Sequence, residues 1–134
     1  MPGAVRGPVP LYNLDDIPAL NPRVGCVQRV FRGSGVCVCL SEVHPNMTPK
    51  PESLPWEQLF VLLEGRLKLH VGNQVLDMKQ GSFVRIPPNV VHYAEPPLPE
   101  DGIARNLDVF PPTAPEHFDF TSYQTDDFDT DRNP

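Results

Sequence analysis

Proline is the residue that most restricts how this chain can fold. It fills 18 of the 134 positions, about one in seven, where ~5% is usual. Because proline has no amide hydrogen and fixes φ, prolines at this density break helices and the ladders of central strands. The sequence therefore excludes long helices and helical bundles, and it favours short strands joined by turns.

Short apolar segments recur between the prolines, and several of them alternate or are rich in β-branched residues. Glycine, asparagine and proline separate them, as is typical of tight turns. Eight such segments predict strands, over 24–31, 36–43, 58–63, 66–71, 75–78, 82–86, 90–94 and 103–110. About eight strands at this spacing are typical of an all-β sandwich or barrel. The one helix that we predict is short and covers 114–118.

The chain has the length of one domain, with a distinct segment at each end. We predict a proline-rich N-terminal arm over 1–22, a folded domain over 23–120 and an acidic, disordered tail over 121–134. From Asp119 onward the chain has five aspartates and one arginine, and like charges in a polar segment oppose packing. The arm is too polar to pack alone, so we expect it to lie along its own or a partner's barrel, in a homodimer.

Charge and hydropathy exclude several classes of partner. The net charge of −6 disfavours nucleic acid and anionic membranes. No apolar run is long enough to span a bilayer, and the N-terminus lacks the apolar stretch of a signal peptide. Cys26, Cys37 and Cys39 have neither metal-binding nor redox spacing, so we expect reduced, buried thiols in a cytoplasmic protein.

Two stretches between positions 46 and 96 match the spacings of a pair of family motifs. The first motif has the form G-x5-H-x-H-x3,4-E-x6-G. The chain fills its five positions with Asn46, Glu52, Leu54, Gln58 and Gly65. The second motif has the form G-x5-P-x-G-x2-H-x3-N. The chain fills its five positions with Gly81, Pro87, Asn89, His92 and Pro96. By these spacings the sequence resembles the cupin superfamily, and within it the small single-domain members that resemble polyketide cyclases.

The resemblance implies a cupin jelly-roll β-barrel, also called a double-stranded β-helix. Asn89 replaces the turn glycine of the second motif, and asparagine tolerates the left-handed conformation required there. In typical cupins, three residues of the first motif and the histidine of the second converge on a metal. This chain has Glu52, Leu54, Gln58 and His92 at those positions, and a leucine cannot bind a metal.

The substituted positions leave one imidazole, one carboxylate and one amide. A transition metal normally takes about three good donors from the protein, so we expect no cofactor. If a divalent metal is bound, its ligands are Glu52, Gln58 and His92. An imidazole near a carboxylate in an apolar site suits general acid–base catalysis. We therefore predict that His92, Glu52 and Gln58 are catalytic, with the Gln58 amide holding a carbonyl group.

The neighbouring residues predict an apolar pocket for a small-molecule substrate. We expect five substrate-binding residues: Trp56, Leu54, Phe60, Leu62 and Arg85. Arg85 binds a carboxylate or an enolate if it points into the barrel, and an outward, ion-paired arginine is the alternative. The predicted function is metal-independent proton transfer (isomerisation, cyclisation, dehydration or epimerisation) on a carbonyl-containing, polyketide-like secondary metabolite.

Two other functions fit the same residues. One is a metal-dependent cupin dioxygenase or lyase, and the other is a cupin that binds a small molecule without converting it. The retained imidazole of His92 favours catalysis over binding alone, because a site without chemistry does not require it.

Overall fold

The computed structural model describes residues 3–111 and 120–124 of the chain. Within these ranges the chain forms nine strands and two single-turn 3₁₀-helices, Leu14–Asp16 and Pro99–Asp101. The strands are β1 (Leu20–Arg23), β2 (Cys26–Arg32), β3 (Cys37–Val43), β4 (Gln58–Glu64), β5 (Arg66–Val71), β6 (Gln74–Lys79), β7 (Phe83–Ile86), β8 (His92–Ala94) and β9 (Ala104–Phe110). The eight predicted strands are confirmed, and the helix predicted over 114–118 lies outside the described residues.

The strands form two antiparallel sheets. One has six strands in the order β1-β2-β3-β9-β4-β7, and the other has three in the order β6-β5-β8. Leu62 of the first sheet and Leu69 and Met78 of the second belong to one buried cluster, so the core lies between the sheets. This is the expected cupin jelly-roll barrel. In the described ranges, no helix has the length and apolar character needed to cross a membrane.

Strand β1 is the element that the sequence pattern did not predict. It is short and contains Pro22, which breaks the usual signature of a strand. Among the described strands it pairs only with β2, at the edge of the six-stranded sheet. An edge position tolerates proline because one side of the strand makes no ladder hydrogen bonds.

The N-terminal arm packs on the barrel of its own chain. The ring of Tyr12 meets Phe31 of β2 edge-on, with centroids 5.7 Å apart, and meets Tyr123 in the same way at 5.8 Å. Aromatic pairs in this geometry stabilise a contact beyond the area that they bury. The arm therefore lies along the barrel of its own chain, which is one of the two expected positions. The homodimer stays a prediction.

The first residues of the expected tail are packed on the barrel, contrary to the predicted disorder. The side-chain amide of Gln124 donates to the carbonyl oxygen of Arg32 at 2.9 Å and accepts from its backbone amide at 3.0 Å. Arg32 in turn donates to the hydroxyl of Thr121, and Tyr123 donates to the carbonyl oxygen of Val30. These bonds satisfy backbone groups of β2 beyond its pairing with β1. Residues 125–134 lie outside the described residues.

The inner face of the six-stranded sheet is polar at its centre. In β9, Asn106 and Asp108 are buried, whereas Leu107 and Val109 alternate with them on the outer face. Ser41 of β3, directly opposite Asn106, is also buried. Buried polar groups are costly unless they are hydrogen-bonded, so this arrangement marks the part of the barrel where a site lies.

Candidate active site

The polar inner face encloses a cavity of about 90 Å³. Four of the predicted site residues line it together: Glu52, Gln58, Phe60 and His92. Gln58 and Phe60 reach it because alternate residues of β4 point inward. The structure thus brings the three predicted catalytic side chains to one cavity, and their roles in catalysis stay a prediction.

Arg85 lies outside this cavity, on the outer face of β7. Its neighbours Val84 and Ile86 occupy the inner face, so alternation turns the guanidinium outward. It forms an ion pair with Glu57, and 64% of its side chain is exposed. The outward alternative is the one observed, and Arg85 is removed from the predicted substrate-binding set.

Three predicted apolar contacts also lie away from the cavity lining. The ring of Trp56 is stacked against Phe110, with centroids 6.5 Å apart and planes 20° apart. Leu62 is fully buried in the core between the sheets. Leu54 lies in the loop before β4, where its carbonyl oxygen accepts a hydrogen bond from the amide of Asn89. Packing therefore occupies the side chains of Trp56 and Leu62, which the pattern assigned to substrate.

The turn of the second motif adopts the backbone conformation expected from its sequence. Asn89 has a φ of 65°, in the left-handed region that asparagine tolerates better than most residues. Its amide bond to Leu54 joins the turn to the loop before β4. The turn lies three residues before His92, so its geometry sets the start of β8.

His92 lines the cavity, and its two ring nitrogens have different surroundings. Its Nδ1 lies 3.0 Å from the carbonyl oxygen of Val90, and a carbonyl oxygen can only accept, so Nδ1 carries the proton. In the neutral ring Nε2 then holds a lone pair. Nε2 is buried and has no hydrogen-bond partner among the described residues. The imidazole is therefore oriented to take a proton or to accept a hydrogen bond from a ligand.

Glu52 is held beside His92 by backbone pairing. The amide of Glu52 donates to the carbonyl oxygen of His92 at 3.1 Å, and the amide of His92 donates to that of Glu52 at 2.9 Å. This isolated bridge fixes a residue of a proline-rich loop to the first residue of β8. Glu52 is exposed while His92 is buried, so the carboxylate lies toward solvent and the imidazole lies deeper.

Asp108 is a cavity residue that sequence reasoning missed. Its Oδ1 accepts from Gln58 Nε2 at 2.7 Å, and its Oδ2 accepts from Asn106 Nδ2 at 3.1 Å. Burial raises the pKa of this carboxyl to about 7, although the two amides and Arg23 favour the charged form, and the nearby Glu52 raises the pKa further. Asp108 therefore exchanges its proton near neutral pH.

A sequence signal for Asp108 does exist. Asn106 and Asp108 are polar residues two apart in a strand whose other residues, apart from Arg105, are apolar, so they share a face. Alternation alone does not say whether that face points inward, and hydrophobicity favours Leu107 and Val109 for the core. The missing information is the pairing of β9 with β4, the strand of Gln58, and with β3, the strand of Ser41.

The cysteines behave as buried apolar residues. All three are free and buried, as the sequence predicts. Cys26 contributes to the cavity lining, but burial raises the pKa of its thiol. Burial raises the pKa of Cys37 to about 11. Thiols of this kind are poor nucleophiles, so the chemistry of the cavity belongs to the imidazole and the carboxyls.

The family follows from comparison with known proteins. A family model described as a cupin domain matches residues 39–110, which is more than half of the chain. The chain belongs to the cupin family. The match contains most of the cavity residues named above, including Gln58, His92 and Asp108. Comparison with curated protein sequences gives no match.

Solved structures show the same cupin fold. An RmlC-like cupin from Shewanella frigidimarina is 14% identical, with a TM-score of 0.69 over 78% of this chain and 92% of that one. KdgF from Halomonas sp. is 13% identical, with a TM-score of 0.68 over 80% and 98%. The polyketide cyclase RemF from Streptomyces resistomycificus is 21% identical, with a TM-score of 0.67 over 80% and 82%. Identities this low establish the fold alone.

The metal site that the cupin fold implies does not match the residues of this chain. Among the described residues, no group of three or more His, Cys, Asp and Glu side chains is arranged to hold a metal ion. The Nε2 of His92 suits a metal, but Gln58 offers only an amide oxygen, which is a weaker ligand than imidazole or carboxylate. A transition metal normally binds more and stronger donors than these residues provide. No step of the chemistry below uses a metal.

Proposed function

We propose that this cupin catalyses acid–base proton transfer next to the carbonyl group of a small molecule, without a metal. The observation that carries the proposal is the buried Nε2 of His92, which has no hydrogen-bond partner in the described part of the chain, beside a cavity that His92 and Asp108 both line. A basic ring nitrogen and a protonated carboxyl that line one cavity can act as a base and an acid. In this assignment, His92 is the base and protonated Asp108 is the acid.

The proposed step balances protons within the site. The Nε2 lone pair of His92 takes a proton from the carbon next to the carbonyl group. The electron pair of that C–H bond forms a carbon–carbon double bond, and the carbonyl oxygen receives the proton of Asp108. The result is an enol beside a cationic imidazole and a carboxylate. Return of the two protons, with the carbon protonated at another position or on the other face, completes an isomerisation or epimerisation.

Gln58 acts in this scheme as a positioning residue. Its Nε2 donates to Asp108, so its amide orients the acid instead of holding a substrate carbonyl as the sequence analysis expected. Asn106 supports the second carboxyl oxygen in the same way. These two bonds stabilise the carboxylate that forms after proton transfer. Glu52 lies nearer to solvent, and its negative charge raises the pKa of Asp108.

The size of the cavity limits what can enter it. A volume of about 90 Å³ is well below the ~300–1,000 Å³ that is usual for drug-sized ligands. The cavity therefore accepts a small carbonyl compound, or the reacting end of a larger one. RemF, which shares the fold, is a polyketide cyclase, and this supports a polyketide-like intermediate whose end enters the barrel.

Hydrogen–deuterium exchange tests the proposal without knowledge of the natural substrate. Pyruvate, 4-oxopentanoate and their two amides are incubated with the protein in deuterium oxide, and NMR follows loss of the protons next to each ketone. We expect exchange above the buffer rate with at least one probe. His92→Gln and Asp108→Asn should each slow it by about 100-fold or more, and the outer-face variant Arg85→Gln should not.

The alternatives make different predictions in the same assay. Exchange that persists after dialysis against a chelator supports metal-independent chemistry. Exchange that disappears and returns with added metal supports the metal-dependent dioxygenase or lyase class instead. Binding of a probe without exchange above the buffer rate contradicts the catalytic proposal and favours a cupin that only binds its ligand.

A further inference from the structure

Two cationic side chains, Arg23 and Lys50, line the cavity that holds His92 and Asp108. Neither makes an ion pair with an acid in the ranges 3–111 and 120–124. Four other arginines lie within 4 Å of a carboxylate: Arg29, Arg66, Arg85 and Arg105. The cavity therefore keeps positive charge that the surrounding acids do not pair with.

Arg23 is held in place by a tight turn. Its Nε donates to the carbonyl oxygen of Thr48 at 2.9 Å, and the amide of Thr48 donates to Val24 at 3.2 Å. Gly25 follows with a φ of +73°, and a Cβ there would lie 2.5 Å from the backbone of Met47. Only glycine fits this contact. The guanidinium is thus anchored through Nε, and its two terminal nitrogens make no hydrogen bond in the described part of the chain.

A residue that lines the same cavity, His92, also has a polar atom without a hydrogen-bond partner in the described residues. The Nε2 of His92 is buried without a partner among the described residues, and His92 is only 6% exposed. Arg23 is near enough to Asp108 to oppose the rise in its pKa. A ligand that pairs with all of these groups therefore needs an anionic group for Arg23 and Lys50. It also needs a polar group, a short distance away, for the imidazole of His92.

We propose that the substrate is an oxo acid whose carboxylate binds Arg23 and Lys50 while its carbonyl end lies against His92 and Asp108. The fork of an anchored guanidinium matches a carboxylate, and the lysine adds a second positive charge. The carbonyl end of this assignment rests on the proposed function. Arg23 and Lys50 take the role that the sequence analysis gave to Arg85.

Binding of matched acids and amides tests the assignment. Pyruvate and 4-oxopentanoate are titrated into the full-length protein alongside their amides, with binding followed through the NMR signals of the His92 ring. We expect at least one acid to bind about tenfold or more tightly than its amide, since a charged hydrogen bond is usually worth that factor. The preference should weaken as salt is added.

Variants locate the charge that binds the acid. Arg23→Gln and Lys50→Gln should each weaken binding of the acid by about three- to tenfold and leave binding of the amide unchanged. Lys68→Gln, which removes the same charge from an exposed position on β5, should leave both unchanged. Equal affinities for acid and amide in the unmodified protein, or no binding of either acid, overturn the proposal even if a variant fails to fold.

The outcome separates this inference from the proposed function. If amides bind as tightly as acids and exchange their protons equally fast, proton transfer stands and the oxo-acid assignment is wrong. If acids bind selectively but do not exchange, the anionic ligand class stands and the catalytic proposal is wrong.

Discussion

Gln58 Nε2 lies 2.7 Å from Oδ1 of Asp108 and donates a hydrogen bond to it. This bond joins a position of the first cupin motif to a carboxyl fifty residues later in the chain. It favours the charged form of Asp108, against burial, which favours the neutral form. A residue of β4 thus contributes to the proton affinity of a carboxyl on the adjacent strand β9.

Removal of this amide should raise the pKa of Asp108. We expect Gln58→Leu to move the titration of that carboxyl upward from about 7, because a donor to the carboxylate is lost in a buried site. Carbon-13 NMR of the aspartate carboxyls measures the shift. Gln28→Leu is the matched control, since Gln28 lines the same cavity but donates to Ser41. An unchanged or lowered value in Gln58→Leu contradicts the role given to this bond.

Asp108 should also make the stability of the protein depend on pH. Its pKa is raised from 3.8 to about 7 on folding, so the folded state keeps a proton that the unfolded state releases. The free energy of unfolding should therefore fall as pH rises from about 4 to 7, by on the order of 4 kcal/mol from this group.

Asp108→Asn removes the titrating group and should flatten this dependence. Urea unfolding at pH 4.5 and pH 8 measures it: the variant should lose less stability than the unmodified protein between the two pH values. Parallel curves for the two proteins would show that Asp108 is not protonated in the folded state near neutral pH.

Glu52 should tune the acid without donating a proton itself. Its negative charge raises the pKa of Asp108, so Glu52→Gln should move the fall in exchange rate above neutrality to lower pH. Glu64→Gln is the charge-matched control, because Glu64 pairs with Arg105 at an exposed position. A complete loss of activity at every pH in Glu52→Gln would make Glu52 a catalytic residue, as the sequence analysis expected.

The packed segment near the C-terminus should contribute to stability. Gln124→Ala removes two hydrogen bonds to the backbone of Arg32 and leaves these part-buried groups without their partner. We expect a loss of about 1–3 kcal/mol in the free energy of unfolding, measured by urea denaturation. Gln80→Ala, at an exposed turn, should change it by less than about 0.5 kcal/mol.

The strands could be predicted because their alternation is local. The segments that became β3 and β5 alternate in sequence and alternate in burial. Strand β1 is not predicted because Pro22 breaks the sequence pattern of a strand. A strand that contains this proline is tolerated because it lies at the edge of the sheet. The outward direction of Arg85 was an open alternative, since its sequence neighbours do not fix which face of β7 meets the core.

The chemistry of the cavity was harder to predict because it depends on long-range pairing. The cupin spacings placed Glu52, Gln58 and His92 at one cavity. Asp108 lies opposite Phe60 only through the pairing of β9 with β4, and Arg23 reaches the cavity through a turn that Gly25 permits. Neither position carries a local signal strong enough to overrule the preference for burying apolar residues.

The protonation of the His92 ring is the most direct test of the proposed chemistry. Nitrogen-15 NMR of the ring, at a pH where the imidazole is neutral, distinguishes the two tautomers. We expect a protonated Nδ1, which donates to the carbonyl oxygen of Val90, and an unprotonated Nε2 whose signal shifts when an oxo acid binds. A proton on Nε2 of the neutral ring would leave the cavity without its base and would contradict the proposed chemistry.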